Sequence, residues 1–183
     1  ASVKHLGLPQ AGVPADAVII DLEDSVTPGN KAAARELARD YLAAHGGDRR
    51  HQLWVRINPL DHPEAGADLG AVMPLRPDGI MLPKARSHED VEVLGRRLGT
   101  YEAEHEIPVG STRILPLVTE TPEALFSLGG YGACGARLAA LSWGAEDLGA
   151  AVGRTDRGGE RLRHWQDDQR GNAQRAVREK VTG

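Results

Sequence analysis

Acidic and basic side chains recur in one kind of place in this sequence, at the C-terminal ends of short apolar runs. Asp21, Glu23 and Asp24 stand at the end of Ala17–Leu22 (AVIID and Leu), and Arg56 and Asn58 close Leu53–Asn58. Lys84 follows Gly79–Pro83, Glu120 follows Ile114–Val118, and Glu146 and Asp147 follow Leu138–Trp143. If the five runs are neighbouring strands pointing the same way, three supply acids and two supply bases to a single rim. Carboxylates crowded into a low-dielectric cleft hold their protons unless a cation intervenes. An all-oxygen donor set selects a hard ion, so Mg²⁺ is expected, with Mn²⁺ as the alternative.

Other chemistries find no support. The seven histidines form no i,i+4 pair and no Cys/His cluster, which removes the zinc pattern. No G-x-G-x-x-G or G-x-x-x-x-G-K-[ST] follows a run, and no G-x-S-x-G elbow is present. The single cysteine, Cys134, lies among small residues and reads as a packed structural thiol.

The elements that would position the rim are legible. None of the five runs alternates cleanly, and continuous apolar runs of this length fit strands of a parallel sheet, buried on both faces. Between them lie helical patterns with readable ends. Asn30 is placed to cap Lys31–His45, which Gly46–Gly47 stops. Ser87 with Asp90 resembles a capping box and opens a helix reaching Glu106, weakened by Gly95 and Gly99. Thr121–Pro122–Glu123 supplies a cap, a proline at the first helical position and an acid in the first turn. Alternating strand and helix is the mark of βαβ units, in which ligands bind beyond the carboxyl ends of the strands.

Bulk properties agree with a soluble α/β domain. The chain has 183 residues, 40% hydrophobic and 26% charged, and a net charge of −4. Aromatics at 4% leave no stacking platform for single-stranded nucleic acid, and a mildly acidic balance argues against a phosphate-backbone partner. Nothing resembles a signal peptide or a membrane span, so a reducing cytoplasm is the expected compartment. Residues 153–183 carry +3 against −7 for the rest. That segment reads as a helical tail or lid, with helix around Gln174–Val181. The expected division is residues 1–153 as the part carrying the metal site and 154–183 as the tail.

Five blocks, in order, resemble the citrate lyase beta-subunit family of the HpcH/HpaI aldolase superfamily: DAVIIDLEDSV (Asp16–Val26), VRINP (Val55–Pro59), GIMLPKA (Gly79–Ala85), ETPEAL (Glu120–Leu125) and WGAEDLGAAVG (Trp143–Gly153). The resemblance implies a TIM (β/α)8-type barrel, usually trimeric. It implies Mg²⁺-dependent retro-Claisen or retro-aldol cleavage of a citryl-, malyl- or citramalyl-CoA type substrate, yielding a 2-oxo acid. By position, Glu120 and Asp147 would be the protein ligands of Mg²⁺, and Glu120 would also border the substrate. Arg56 would bind the substrate carboxylate or the oxyanion formed in the reaction. Glu23 and Asp24 would lie near the metal waters and Arg56. A whole barrel has about 250 residues and eight strands; five are counted here, so the barrel is expected to be incomplete. The alternatives are an aldolase acting on free 2-oxo acids and a non-catalytic relative that binds a thioester or a partner subunit.

Overall fold

The structure is a computed structural model and describes residues 16–47, 51–144 and 147–149. The expected tail at 154–183, its helix around Gln174–Val181, and Glu146 lie outside the described residues. The chain separates into two compact units, Ala1–Leu148 and Gly149–Gly183; all elements below belong to the first.

Four parallel strands lie side by side in chain order: β1 (Ala17–Asp21), β2 (Gln52–Arg56), β3 (Gly79–Leu82) and β4 (Arg113–Pro116). Helices α1 (Lys31–His45), α2 (Ala65–Val72) and α3 (His88–Glu104) connect them, and α4 (Pro122–Ser127) follows β4. Sequential neighbours in a parallel sheet, each joined through a helix, are what a portion of a (β/α)8-type barrel requires. Among the described residues no helix is long and apolar enough to cross a membrane.

The register fixes which side chains share a face. Asp21, Arg56 and Met81 are lateral partners, as are Ile20, Val55, Ile80 and Ile114. The second set, with Val18, Leu22, Leu53, Ile57 and Leu82, packs into the core with Ala38 and Leu42 of α1 and Val91, Leu94 and Leu98 of α3. Those helix positions recur at intervals of three and four, so each helix turns one stripe to the sheet. Each fully buried Leu or Ile contributes about 1.5–3 kcal/mol. On the opposite face Trp54 lies across Gly79, where a Cβ would come within 2.2 Å of the ring. Only glycine fits there.

Several expectations shift in detail. α1 has the predicted bounds, but Asn30 does not cap it; its Nδ2 donates to Thr27 Oγ1 at 2.9 Å instead. Ser87 does cap α3, accepting from the Glu89 amide, while Asp90 accepts from the Arg86 amide at 2.8 Å rather than closing a capping box. Thr121 caps α4 through the Ala124 amide. α2 has no counterpart in the sequence reading, because its AGADLGAV carries two glycines and a single small stripe. β1 was expected to be buried on both faces, yet Ile19 is 47% exposed, because β1 ends the described sheet and only its Val18–Ile20 face meets helices.

The fifth run pairs with β4 without becoming a strand among the described residues. It makes two parallel bridges, Ile114↔Leu138 and Leu117↔Ser142. Between the bridges the chain advances three residues from Ile114 to Leu117 but four from Leu138 to Ser142. The extra residue falls opposite Pro116, which has no N–H to give the ladder and accepts instead from the Ser142 amide at 2.9 Å.

Candidate metal and oxo-acid site

Asp21 and Arg56 are the last residues of β1 and β2 and are partners in the register. Their pairing is bidentate: Arg56 Nε donates to Asp21 Oδ1 at 2.8 Å and Nη2 to Oδ2 at 2.5 Å. Asp21 also accepts from the amides of Glu23 (2.9 Å) and Ser25 (3.2 Å) and from the Ser25 hydroxyl, so it organises the turn that follows β1. Burial alone would raise the Asp21 carboxyl, but the donors from Arg56, Ser25 and Glu23 outweigh it and hold it below its ordinary value. The same pairing pushes the Arg56 guanidinium well above its usual range. The fork of Arg56 is thus held by Asp21, and the Nη1 edge is what it turns to Glu23, 3.1 Å from Oε2.

Glu23 is 3% exposed. Its Oε1 accepts from the Lys84 ammonium. Its Oε2 has no hydrogen-bond partner, the Arg56 contact being an ion pair without hydrogen-bond geometry. Desolvation raises this carboxyl, and the nearby Lys84 and Arg56 charges offset that only in part.

Glu120, three residues past the Leu117 bridge that follows β4, is also buried. Its Oε2 accepts from the Lys84 backbone amide at 2.6 Å. Desolvation raises its carboxyl; the Lys84 amide acts against this, and the Glu23 and Asp147 charges add to it. Gly144 lies directly against it: a Cβ there would come 2.5 Å from Glu120 Cγ. Thr119 holds Gly144 in place, donating to its carbonyl at 3.0 Å and accepting from its amide at 2.8 Å.

Lys84 ties these acids together. Its ammonium bonds Glu23 and lies 3.5 Å from Asp24 Oδ2 and 3.3 Å from Asp147 Oδ2. Burial would lower its pKa, but the charges of Glu23, Asp24 and Asp147 raise it instead. Its φ of 52° is left-handed. A non-glycine residue in that region is strained by about 1–3 kcal/mol and persists where its surroundings over-determine it.

A buried network supports the β1 and β2 ends from behind. Lys31 Nζ donates to the carbonyls of Leu22 (2.8 Å) and Glu23 (2.8 Å) and to Asn58 Oδ1 (2.7 Å). Asn58 Nδ2 donates in turn to Asp68 Oδ2 at 2.6 Å, and Asp68 meets Arg35 at 3.2 Å. A cleft of about 200 Å³, lined by Leu60, Asp61, Lys84, Arg86 and Thr121 among others, opens at the same strand ends.

Every described residue singled out in the sequence therefore stands at one rim, with Lys84 touching Glu23, Asp24, Glu120 and Asp147. The sequence reading places Asp21 and Lys84 on the rim without a role, and it leaves out Lys31 and Asp68. One signal for Lys31 was present. A lysine at the first position of a helix opposes the helix dipole, so something must hold it there.

Among the described residues no three His, Cys, Asp or Glu side chains are disposed to hold an ion unaided. Mg²⁺ seldom asks for that, since it is usually bound through one or two carboxylates with water and ligand oxygens completing its shell. The hard oxygens of Glu120 and Asp147 and the raised carboxyl of Glu120 fit a cation site of that kind.

The sequence matches the model of the HpcH/HpaI aldolase/citrate lyase family over residues 9–179. It is 30% identical to citrate lyase subunit beta of Haemophilus influenzae, over 72% of this chain and 45% of the relative. It is 29% identical to the malyl-CoA/beta-methylmalyl-CoA/citramalyl-CoA lyase of Chloroflexus aurantiacus, over 80% of this chain and 42% of the relative. The chain spans about half the length of the curated relatives it matches. A solved citrate lyase beta subunit from M. tuberculosis, complexed with oxaloacetate and magnesium, superposes with a TM-score of 0.59 at 31% identity, over 77% of this chain and 53% of that one. A citrate lyase from Burkholderia xenovorans LB400 gives a TM-score of 0.67 at 25% identity, over 78% and 44%. The four parallel strands are thus part of the TIM-barrel-type aldolase fold.

Proposed function

The chain belongs to the HpcH/HpaI aldolase/citrate lyase family, and from that premise we propose that it is the metal-binding part of a Mg²⁺-dependent carbon–carbon lyase. The reaction is retro-Claisen or retro-aldol cleavage of a citryl-, malyl- or citramalyl-CoA type thioester, releasing a 2-oxo acid. The observation that carries this reading is the gathering of Glu23, Asp24, Glu120 and Asp147 around Lys84, beside Arg56, at the carboxyl ends of parallel strands. The activities named for the bacterial relatives support the substrate class, and the magnesium and oxaloacetate of the mycobacterial complex support the metal and the product class.

Glu120 and Asp147 would hold the ion through carboxylate oxygens. The bond from the Lys84 amide fixes the orientation of Glu120, and Gly144 leaves the carboxylate the space it occupies. A bound Mg²⁺ would act as a Lewis acid on the oxygen that is the hydroxyl of the thioester before cleavage and the carbonyl of the 2-oxo acid after it. Arg56 is locked by Asp21 in one plane, and its Nη1, ion-paired with Glu23 without a hydrogen bond, keeps its N–H groups for negative charge developing on the substrate. Such a preorganised donor stabilises an oxyanion without reorganising at the moment of reaction. Glu23 keeps Arg56 and Lys84 in place, and Asp24 is the outer, more exposed acid of the set. The proposal extends to a homotrimeric assembly and a cytoplasmic location.

Calorimetric titration with Mg²⁺, followed by incubation with malyl-, citramalyl- and citryl-CoA, tests it. Wild type should bind the ion and release a 2-oxo acid only in its presence, and Glu120→Ala and Asp147→Ala should lose both properties. Equal Mg²⁺ binding by all three proteins would sink the assignment. Intact binding with no turnover of any thioester would leave a non-catalytic relative.

A further inference from the structure

Lys84 touches four acids of the site, Glu23, Asp24, Glu120 and Asp147, and it does so in two ways. Its amide bonds Glu120 at 2.6 Å, while its ammonium bonds Glu23 and stands 3.3 Å from Asp147 and 3.5 Å from Asp24. The left-handed backbone at φ 52° lets one residue turn its amide to one acid and its side chain to the others. Two of those acids, Glu120 and Asp147, are the ion's holders in the reading above, on which this inference rests. We propose that the Lys84 ammonium is the protein's own counter-cation for the metal site. It neutralises Asp147 until Mg²⁺ arrives, withdraws toward Glu23 and Asp24 when the ion binds, and thereby sets the affinity for the ion.

Two features make that exchange workable. An ammonium and a divalent ion on one carboxylate repel each other, so the 3.3 Å contact with Asp147 has to be given up on binding. The ammonium also has partners to fall back on. Glu23 is 3% exposed, with Oε1 on Lys84 and Oε2 in an ion pair with Arg56, so it offers the ammonium a buried negative partner in either state. A lysine suits the role because it is a compact charge with three donors on a flexible stem, whereas arginine is a rigid planar fork.

A purely structural tie between strand ends predicts something different. Removing such a tie would loosen the site and weaken metal binding, whereas removing a competing charge tightens it. The test is calorimetry with Mg²⁺ alone on wild type and Lys84→Met. Affinity should rise about tenfold, the effect of deleting one unit charge roughly 6 Å from a divalent ion under aqueous screening. In the wild type, the Lys84 ¹⁵Nζ resonance, assigned with Lys84→Arg, should move on Mg²⁺ addition and saturate with the ion. Unchanged or weaker binding by Lys84→Met, or a stationary Lys84 resonance while the ion binds, would overturn this inference alone. Unaltered Mg²⁺ binding by Glu120→Gln and Asp147→Asn would bring down the metal reading and this inference with it.

Discussion

Two buried glutamates stand at opposite ends of the sheet. Glu102, on the last turn of α3, lies beneath the start of β4. It accepts from the amides of Gly110 (2.8 Å) and Thr112 (2.9 Å) and from both terminal nitrogens of Arg137 (2.8 and 2.6 Å). Burial would raise its carboxyl, but these four donors pull it down to about 2. Glu120, just beyond β4 at the other end, has one backbone donor and two acids nearby, and its carboxyl is raised. The residue type and the burial are alike; the donors differ. A carboxylate with its lone pairs satisfied strengthens the fold, and one left short among like charges holds an electrostatic conflict that a cation relieves.

The sharpest way to break this comparison is Arg137→Ala. Leaving Glu102 buried without its guanidinium should cost about 3–5 kcal/mol in urea denaturation, with Mg²⁺ affinity unchanged. A matching loss of metal binding would mean that the two ends are not independent. At the other end, Arg56→Lys keeps a positive charge but loses the bidentate hydrogen bonding to Asp21 and the Nη1 edge. Turnover should fall about 10²–10³-fold, measured as kcat for thioester cleavage, and near-normal kcat would show that charge alone suffices. Glu120→Gln should reverse the sign seen at Arg137. Removing a carboxylate that suffers from its neighbours should stabilise the metal-free protein by about 0.5–2 kcal/mol, while the rise in melting temperature on adding Mg²⁺ disappears.

The smallest effect is the dependence of stability on pH. Glu23 and Glu120 have folded values above the ordinary 4.5, so the folded state takes up protons there before the unfolded state does. Stability should therefore rise modestly as pH falls from neutrality toward 4.5. Glu102 acts in the opposite sense. Its stabilisation is present above 4.5 and is lost as pH falls from 4.5 toward 2. Thermal melts of wild type and Glu102→Gln should diverge above pH 4.5 and converge below it. Parallel curves across the whole range would contradict the assignment.

The sequence was most informative where local chemistry and tertiary structure agree. Four apolar runs became adjacent parallel strands, and the charges that follow them met at one rim because strand direction alone carries them there. It was least informative where a partner lies far along the chain. Nothing local in Asp21 says that its carboxylate takes the fork of Arg56, 35 residues on; that follows from β1 and β2 being paired in register. Nothing local in Glu102 or Arg137 marks an ion pair, and Gly95 and Gly99, which weaken α3 by propensity, lie against the Arg137 side chain as it reaches Glu102. The bulge opposite Pro116 was legible in principle, since a proline in a strand interior withholds a ladder donor.

A crystal structure of the protein grown with Mg²⁺ and oxaloacetate tests the central claim most directly. The account predicts one ion held by oxygens of both Glu120 and Asp147, with the oxo acid beside the Nη1 edge of Arg56. An ion bound elsewhere, or bound by only one of those two carboxylates, would contradict it.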